Sequence, residues 1–372
     1  MKESLFGELS IIGMKGCEGF VDEVNSYLCD WRRHDGDASY VLHAECPRFG
    51  SGEAKGMIHQ SVRGNDLYII SDVFNHGVTY TMYGKEVPMS PDDHYQDLKR
   101  IIQAAEGKAR RISVVMPMLY EGRQHKRSGR ESLDCAVALQ ELVAMGVSNI
   151  ITFDAHDPRV QNAVPLSGFD NVRSSYQMIK ALLREYPDVD FDPEKIMIIS
   201  PDEGGMGKCM YYSSMLGIEL GMFYKRRNYS VIVNGKNPIE AHEYLGRDLK
   251  GKDVIIVDDM ISSGESVIDV ALQLKEKGAA RIFVFSTFGL FCNGLSKMDE
   301  AYENGLFTRI FTTNLIYQMP ELLARPWYAS VNMCKYVAYI IDTLNHDQTI
   351  SGLLDQSKRI HALVSKHKKE MV

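Results

Sequence analysis

Acidic, imidazole and cationic side chains recur in this chain at the ends of short apolar runs. Asp154 and His156 follow NIITF, Asp202 follows KIMIISP, Lys225, Arg226 and Arg227 follow LGMFY, and Asp258 and Asp259 follow VIIV. If these runs are parallel strands, their ends converge on one rim. Oxygen and nitrogen ligands beside Lys and Arg suit a metal-bound polyphosphate: the ligands hold Mg²⁺ and the cations neutralise a transferring phosphoryl group. Asp154 and His156 are two apart, so on a strand they share a face, as a metal pair requires. The same spacing puts Lys225 and Arg227 on one face and Arg226 on the other. Asp258 and Asp259 can accept hydrogen bonds from a sugar diol. The turn that follows, Ser262, Ser263, Gly264, Glu265 and Ser266, offers backbone N–H groups and hydroxyls to a phosphate. A sugar-diol acceptor next to a phosphate cradle points to a ribose phosphate.

Each feature alone has a plainer meaning. An Asp pair at a strand end more often caps a helix, a lone His is more often a satisfied structural imidazole, and three successive cations are usually a solvated charge run. Their shared position at successive strand ends favours a site.

The elements that position these residues read as βαβ grammar. Short β-rich runs at 110–116, 149–156, 195–202, 220–227, 254–260, 281–289 and 309–314 alternate with amphipathic stretches such as Leu133 to Met145 and Val267 to Lys277. That pattern predicts an α/β fold with mainly parallel sheets flanked by helices and ligands at the carboxyl ends of the strands. The Pro- and Asp-rich segment REYPDVDFDPEK (184–195) is the natural boundary. The expected division is residues 1–184, residues 185–344 and a polar helical tail over 345–372.

Composition narrows the functional classes. With 372 residues, 45% hydrophobic and 24% charged, the chain can bury two ordinary cores. A net charge of −7 argues against a general nucleic-acid surface, so an anionic ligand must be met by local cation clusters. The basic run Arg123 to Arg127 has no aromatic stacking platform beside it, which argues the same way. Seven scattered cysteines without a CxxC pair indicate neither a disulfide framework nor a zinc knuckle. A reducing, cytoplasmic setting is expected, with no leader segment and no membrane span.

Read in order, the motifs resemble one family. VIIVDDMISSGES is similar to the phosphoribosyl-binding signature of type I phosphoribosyltransferases and of ribose-phosphate pyrophosphokinases. Only the pyrophosphokinases account for the remainder: QSVRGNDLYII (60–70), GRQHKRSGRES (122–132), TFDAHDPRVQNAVPLSGFDNV (152–172), SPDEGG (200–205), KRR (225–227) and TTN (312–314) resemble that family's segments in the same order. The resemblance implies two tandem phosphoribosyltransferase-like domains. It implies transfer of the diphosphoryl group of ATP to C1 of ribose 5-phosphate, giving phosphoribosyl pyrophosphate and AMP for nucleotide biosynthesis, with Mg²⁺ required. By position it implies Lys225 and Arg227 as catalytic cations, and Phe49, Glu53, Arg123, Gln124 and His156 at ATP. It also implies Asp202, Asp258, Asp259 and Ser262 to Ser266 at ribose 5-phosphate, and Asp154, His156, Asp202 and Asp170 at metal. Phe49 and Glu53, in RFGSGE, resemble a hairpin that reaches the neighbouring subunit's adenine, so a homo-oligomer built on dimers, up to a hexamer, is implied.

The chain departs from the family pattern at Ser51, His125, Ser262, Glu265 and Phe288. Ser51, His125, Ser262 and Glu265 keep open a non-catalytic regulatory homologue of a synthetase; the other alternative is a type I phosphoribosyltransferase, which would need a base-binding hood and no ATP site.

Overall fold

The computed structural model describes residues 5–32, 39–227 and 239–371. It divides into two compact units, each with its own parallel sheet. The first contains residues 1–174, 314–319 and 332–355, and the second residues 175–313, 320–331 and 356–372.

In the first unit the strands are β1 (Glu8–Gly13), β2 (Ala44–Glu45), β3 (Met57–Ile58), β4 (Asn65–Ile70), β5 (Thr79–Met82), β6 (Lys85–Pro88), β7 (Arg111–Val115), β8 (Asn149–Phe153) and β9 (Gly168–Val172). Five of them form one sheet in the order β1-β4-β7-β8-β9. Every pairing in it is parallel, so all five carboxyl ends lie on one edge. All six residues of β4 are buried, as a strand covered by helices on both faces demands. The pairs β2–β3 and β5–β6 are separate antiparallel ribbons.

In the second unit the strands are β10 (Ile196–Ser200), β11 (Glu219–Arg227), β12 (Ile239–Leu245), β13 (Asp253–Ile261), β14 (Ile282–Gly289), β15 (Arg309–Thr313) and β16 (Tyr328–Val331). They form one sheet in the order β12-β11-β10-β13-β14-β15-β16, with β12 alone antiparallel to its neighbour. A run such as Val254-Ile255-Ile256-Val257 is uninterrupted because β13 is central and buried on both faces.

The strand expectations match the structure to within a few residues, and the helices Asp134–Ala144 and Glu265–Glu276 lie where the apolar spacing put them. The domain division differs. The helix Ser175–Glu185 buries Met178, Ile179 and Leu182 in the second core, so the boundary falls ten residues before the expected one. Residues 332–355 return to the first unit, where the helix Cys334–Asn345 packs against the helix Glu18–Trp31 and Tyr339 stacks on Trp31 at 4.3 Å. The tail is not peripheral either: Ile360 and Val364 of the helix Ser357–Glu370 belong to the second core. Tertiary burial overrides the polar look of that segment. Among the described residues no helix is long and apolar enough to cross a membrane.

Candidate active site

On the first unit, the carboxyl end of β8 delivers Asp154 and His156. Asp154 is 6% exposed and adopts φ 39°, a left-handed conformation that Asp enters more readily than most side chains. Ser174 holds it there: the Ser174 N–H and hydroxyl both donate to Asp154 Oδ2, at 3.1 and 2.7 Å. That bend turns the chain, and His156 is exposed at the rim. The His125 ring lies 5.3 Å from the His156 ring, so the loop after β7 and the loop after β8 meet at these imidazoles. His125 Nε2 is 3.4 Å from Asp157, whose carboxylate is gripped by Arg159 and held down near pKa 2, mainly by that hydrogen bond. His125 Nδ1 is buried without a protein partner.

Arg123 is exposed at the same loop, while Gln124 braces it, donating to the Ser132 carbonyl at 2.8 Å. Asp170 is not brought to this rim. It pairs with Ile151 across the β8–β9 ladder, three positions before Asp154, which is about 10 Å back along the sheet. Burial raises its pKa above the usual carboxylate range. Phe49 and Glu53 close a tight turn, with the Phe49 N–H donating to the Glu53 carbonyl at 2.7 Å, and the Phe49 ring is 55% exposed. Ser51 donates to the Glu53 carboxylate at 2.9 Å.

On the second unit, neighbouring parallel strands β10 and β13 place Asp202 and the Asp258–Asp259 pair on one edge. Asp202 accepts from the Gly205 N–H at 3.2 Å and so closes the turn into the helix Met206–Leu216. Asp258 accepts from the Asp259 N–H at 2.8 Å. Its pKa is pushed well up, first by burial and then by the like charge of Asp259. Gly264 starts the helix Glu265–Glu276 at φ 87°, and no side chain caps that end. Beyond the Glu265 N–H, which Ser263 meets, the first N–H groups of a helix without an N-cap side chain are the donors an anion cradle is made of. The carboxylate of Glu265 pairs with Lys297 at 2.6 Å, which engages the acid that a phosphate would otherwise meet. Ser262 holds the turn through its carbonyl, which accepts from the Cys292 N–H at 2.8 Å. Ser263 Oγ accepts a 3.4 Å bond from the Glu265 N–H, and Ser266 is exposed in the first helical turn. Lys225 and Arg227 end β11, but their side chains and residues 228–238 lie outside the described residues.

Profiles of two domains match the chain. The N-terminal domain of ribose phosphate pyrophosphokinase matches residues 9–146, and a phosphoribosyl transferase domain matches residues 169–322. This chain is a member of the ribose-phosphate pyrophosphokinase family. Ribose-phosphate pyrophosphokinases of that name from Vibrio cholerae and Shewanella oneidensis are similar to it at 26% identity over 318 residues and 28% over 312, covering 84% and 82% of this chain and 91% and 89% of theirs. Ribose-phosphate pyrophosphokinase A of Dictyostelium discoideum is 26% identical over 318 residues, covering 85% of this chain and 90% of its own. The crystal structure of phosphoribosylpyrophosphate synthetase from Mycobacterium smegmatis superposes with a TM-score of 0.74 at 20% identity, covering 91% of this chain and 99% of that one. The fold is that of two phosphoribosyltransferase-like domains.

Two features of this pyrophosphokinase-family site escaped the sequence reading. Lys208, one turn into the helix after SPDEGG, donates to the Asp258 carbonyl at 3.4 Å and sets a cation behind the acid pair. Its signal was helical position, whereas the reading weighed strand ends. The other is the His125–Asp157–Arg159 contact, which joins two motifs 32 residues apart in sequence and shows only in the fold.

Proposed function

We propose that the chain is a ribose-phosphate diphosphokinase: the C1 hydroxyl oxygen of ribose 5-phosphate attacks the β-phosphorus of ATP in line, an O–Pβ bond forms as the bond from Pβ to the oxygen bridging it to the α-phosphorus breaks, the hydroxyl proton passes to water, and AMP leaves. The observation that carries this reading is the edge of the second unit. There a half-buried acid pair, the Asp202 turn and a glycine-initiated helix come together in a member of the pyrophosphokinase family. In this reading the turn Ser262 to Ser266 takes the 5′-phosphate on backbone N–H groups, and Asp258 and Asp259 accept from the ribose hydroxyls. Arg123, Gln124, Phe49 and Glu53 hold the nucleotide. Lys225 and Arg227 neutralise charge that grows on the transferred diphosphoryl group, so catalysis is chiefly positioning and charge stabilisation.

The donors present fit Mg²⁺. On the first unit His156 is exposed, and on the second Asp202 is half-buried; each would offer a single ligand to an ion that keeps several waters and takes phosphate oxygens. Asp154 sits behind His156, fixed by Ser174. When bound, the ion supplies charge neutralisation across the phosphates. The active form is proposed to be a homo-oligomer in which the exposed Phe49 hairpin serves a neighbour's nucleotide.

The test is AMP release from ATP with and without ribose 5-phosphate and Mg²⁺. AMP that appears only with both supports the reading. ATP binding without turnover would favour a regulatory homologue, the alternative supported by the altered Ser51, His125, Ser262 and Glu265.

A further inference from the structure

The ribbon β2–β3 carries a cluster that the pyrophosphokinase reading leaves unused. The His59 N–H donates to the His43 carbonyl at 3.0 Å, extending the ladder Ala44↔Ile58 and Glu45↔Met57 by one cross-strand pair. Side chains opposite each other in such a ladder share a face, as do residues two apart on a strand. His43, His59 and Glu45 therefore stand on one face of the ribbon, and all three are exposed. The two imidazoles stack with centroids 4.5 Å apart and planes 19° from parallel, and His59 Nε2 lies 3.0 Å from Glu45 Oε1. Among the described residues this is the one group of three His, Cys, Asp or Glu side chains whose ligand atoms lie together, all within 4.8 Å of one another.

We infer that His43, Glu45 and His59 form a binding site for a Zn²⁺-like divalent cation that clips the base of the hairpin spanning residues 43–59. Two imidazoles and a carboxylate are the donor set of an open zinc site, with water completing the tetrahedron. Bonds of about 2.0–2.1 Å require ligand atoms about 3.4 Å apart. The trio must close by about an ångström and a half, which rotation of exposed side chains supplies without moving any core group. The same donors discriminate against Mg²⁺, a harder ion that prefers oxygen. A clip here has something to hold. β2 and β3 are two residues each, and a two-stranded ribbon of that length is marginal in water. Bridging residues 43 and 59 removes much of the freedom of the intervening loop.

The test titrates metal-free protein with Zn²⁺ against a chromophoric chelator, in excess Mg²⁺, with amide hydrogen exchange followed over residues 43–59. One equivalent of Zn²⁺ should bind per chain and slow exchange across the ribbon. His43→Asn with His59→Asn should abolish that equivalent, and Glu45→Gln should weaken it about tenfold or more. All three positions are exposed, so the variants should keep the parent's unfolding temperature without metal. Zinc uptake unchanged in the double variant, no uptake by the parent, or uptake without slowed exchange in 43–59 would each overturn the inference. None of these readouts involves ATP or ribose phosphate, so failure here leaves the diphosphokinase reading standing, and the converse holds too.

Discussion

Asp258 sits where a carboxylate is ill at ease, half-buried near the carboxyl end of β13 with a second acid beside it. Its pKa is raised in the folded chain above the ordinary 3.8, so the folded state binds that proton more tightly than the unfolded one. The stability it contributes is complete below about pH 4 and is lost as pH rises through the raised value. Asp258→Asn removes that loss. The variant should unfold at a higher temperature than the parent near neutral pH, the gap closing as pH falls towards about 4, while ribose 5-phosphate affinity drops and ATP affinity holds. A gap that does not change with pH would show that ionisation of Asp258 is not the source. The cations at the end of β11 are tested by kinetics. Lys225→Ala and Arg227→Ala should each lower kcat on the order of a hundredfold with modest change in KM, because the lost contact exists mainly in the transition state. Arg226→Ala should be far milder. Three equal and weak effects would mark the cluster as a solvated charge run.

At the level of elements, the turn into the helix Glu265–Glu276 and the Phe49 hairpin make opposite demands. Gly264 has φ 87°, and a Cβ built there would lie 2.6 Å from Met298 Sδ. Gly264→Ala is therefore strained in backbone and crowded in side chain. It should lose about 1–3 kcal/mol of stability together with affinity for the sugar phosphate. Retained stability and affinity in that variant would mean that the turn can re-form without its glycine. The Phe49 ring, by contrast, is more than half exposed and contributes little to folding. Phe49→Ala should leave stability within about 0.5 kcal/mol yet weaken ATP binding in the assembled enzyme. A normal ATP affinity would remove the hairpin from the nucleotide site.

Over the whole molecule, the two sheets were legible because parallel strands covered on both faces are written as unbroken apolar runs, with chemistry only at their ends. Asp154, His156, Asp202, Asp258 and Asp259 could be placed near strand ends for that reason. Lys208 and Asp157 were not, since one lies inside a helix turn and the other matters only through His125. The path of the chain after Thr313 was illegible for a different reason: no local pattern says which core a helix will join. What returns the helix Cys334–Asn345 to the first unit is a polar knot. Asp66, fully buried, accepts from Arg111 Nε and Nη2 at 2.7 and 2.6 Å and from Asn345 Nδ2 at 3.0 Å, while Arg111 also donates to the Leu344 carbonyl at 2.9 Å. Asn345, itself fully buried, also donates to the Gly7 carbonyl at 3.1 Å and accepts from Arg32 at 2.9 Å. Removing one partner of a buried ion pair leaves the other charge uncompensated, which costs about 3–5 kcal/mol, whereas replacing both with apolar groups costs much less. Arg111→Leu should therefore destabilise the chain by that amount, and Asp66→Leu added to it should restore much of the loss. Hydrogen exchange locates the effect. In Arg111→Leu, amides of β1 and of the C-terminal turn of the helix Cys334–Asn345 should accelerate together, while those of β10 and β13 keep their rates. Acceleration confined to one of the two segments would mean that Asp66 does not tie them into one cooperative unit.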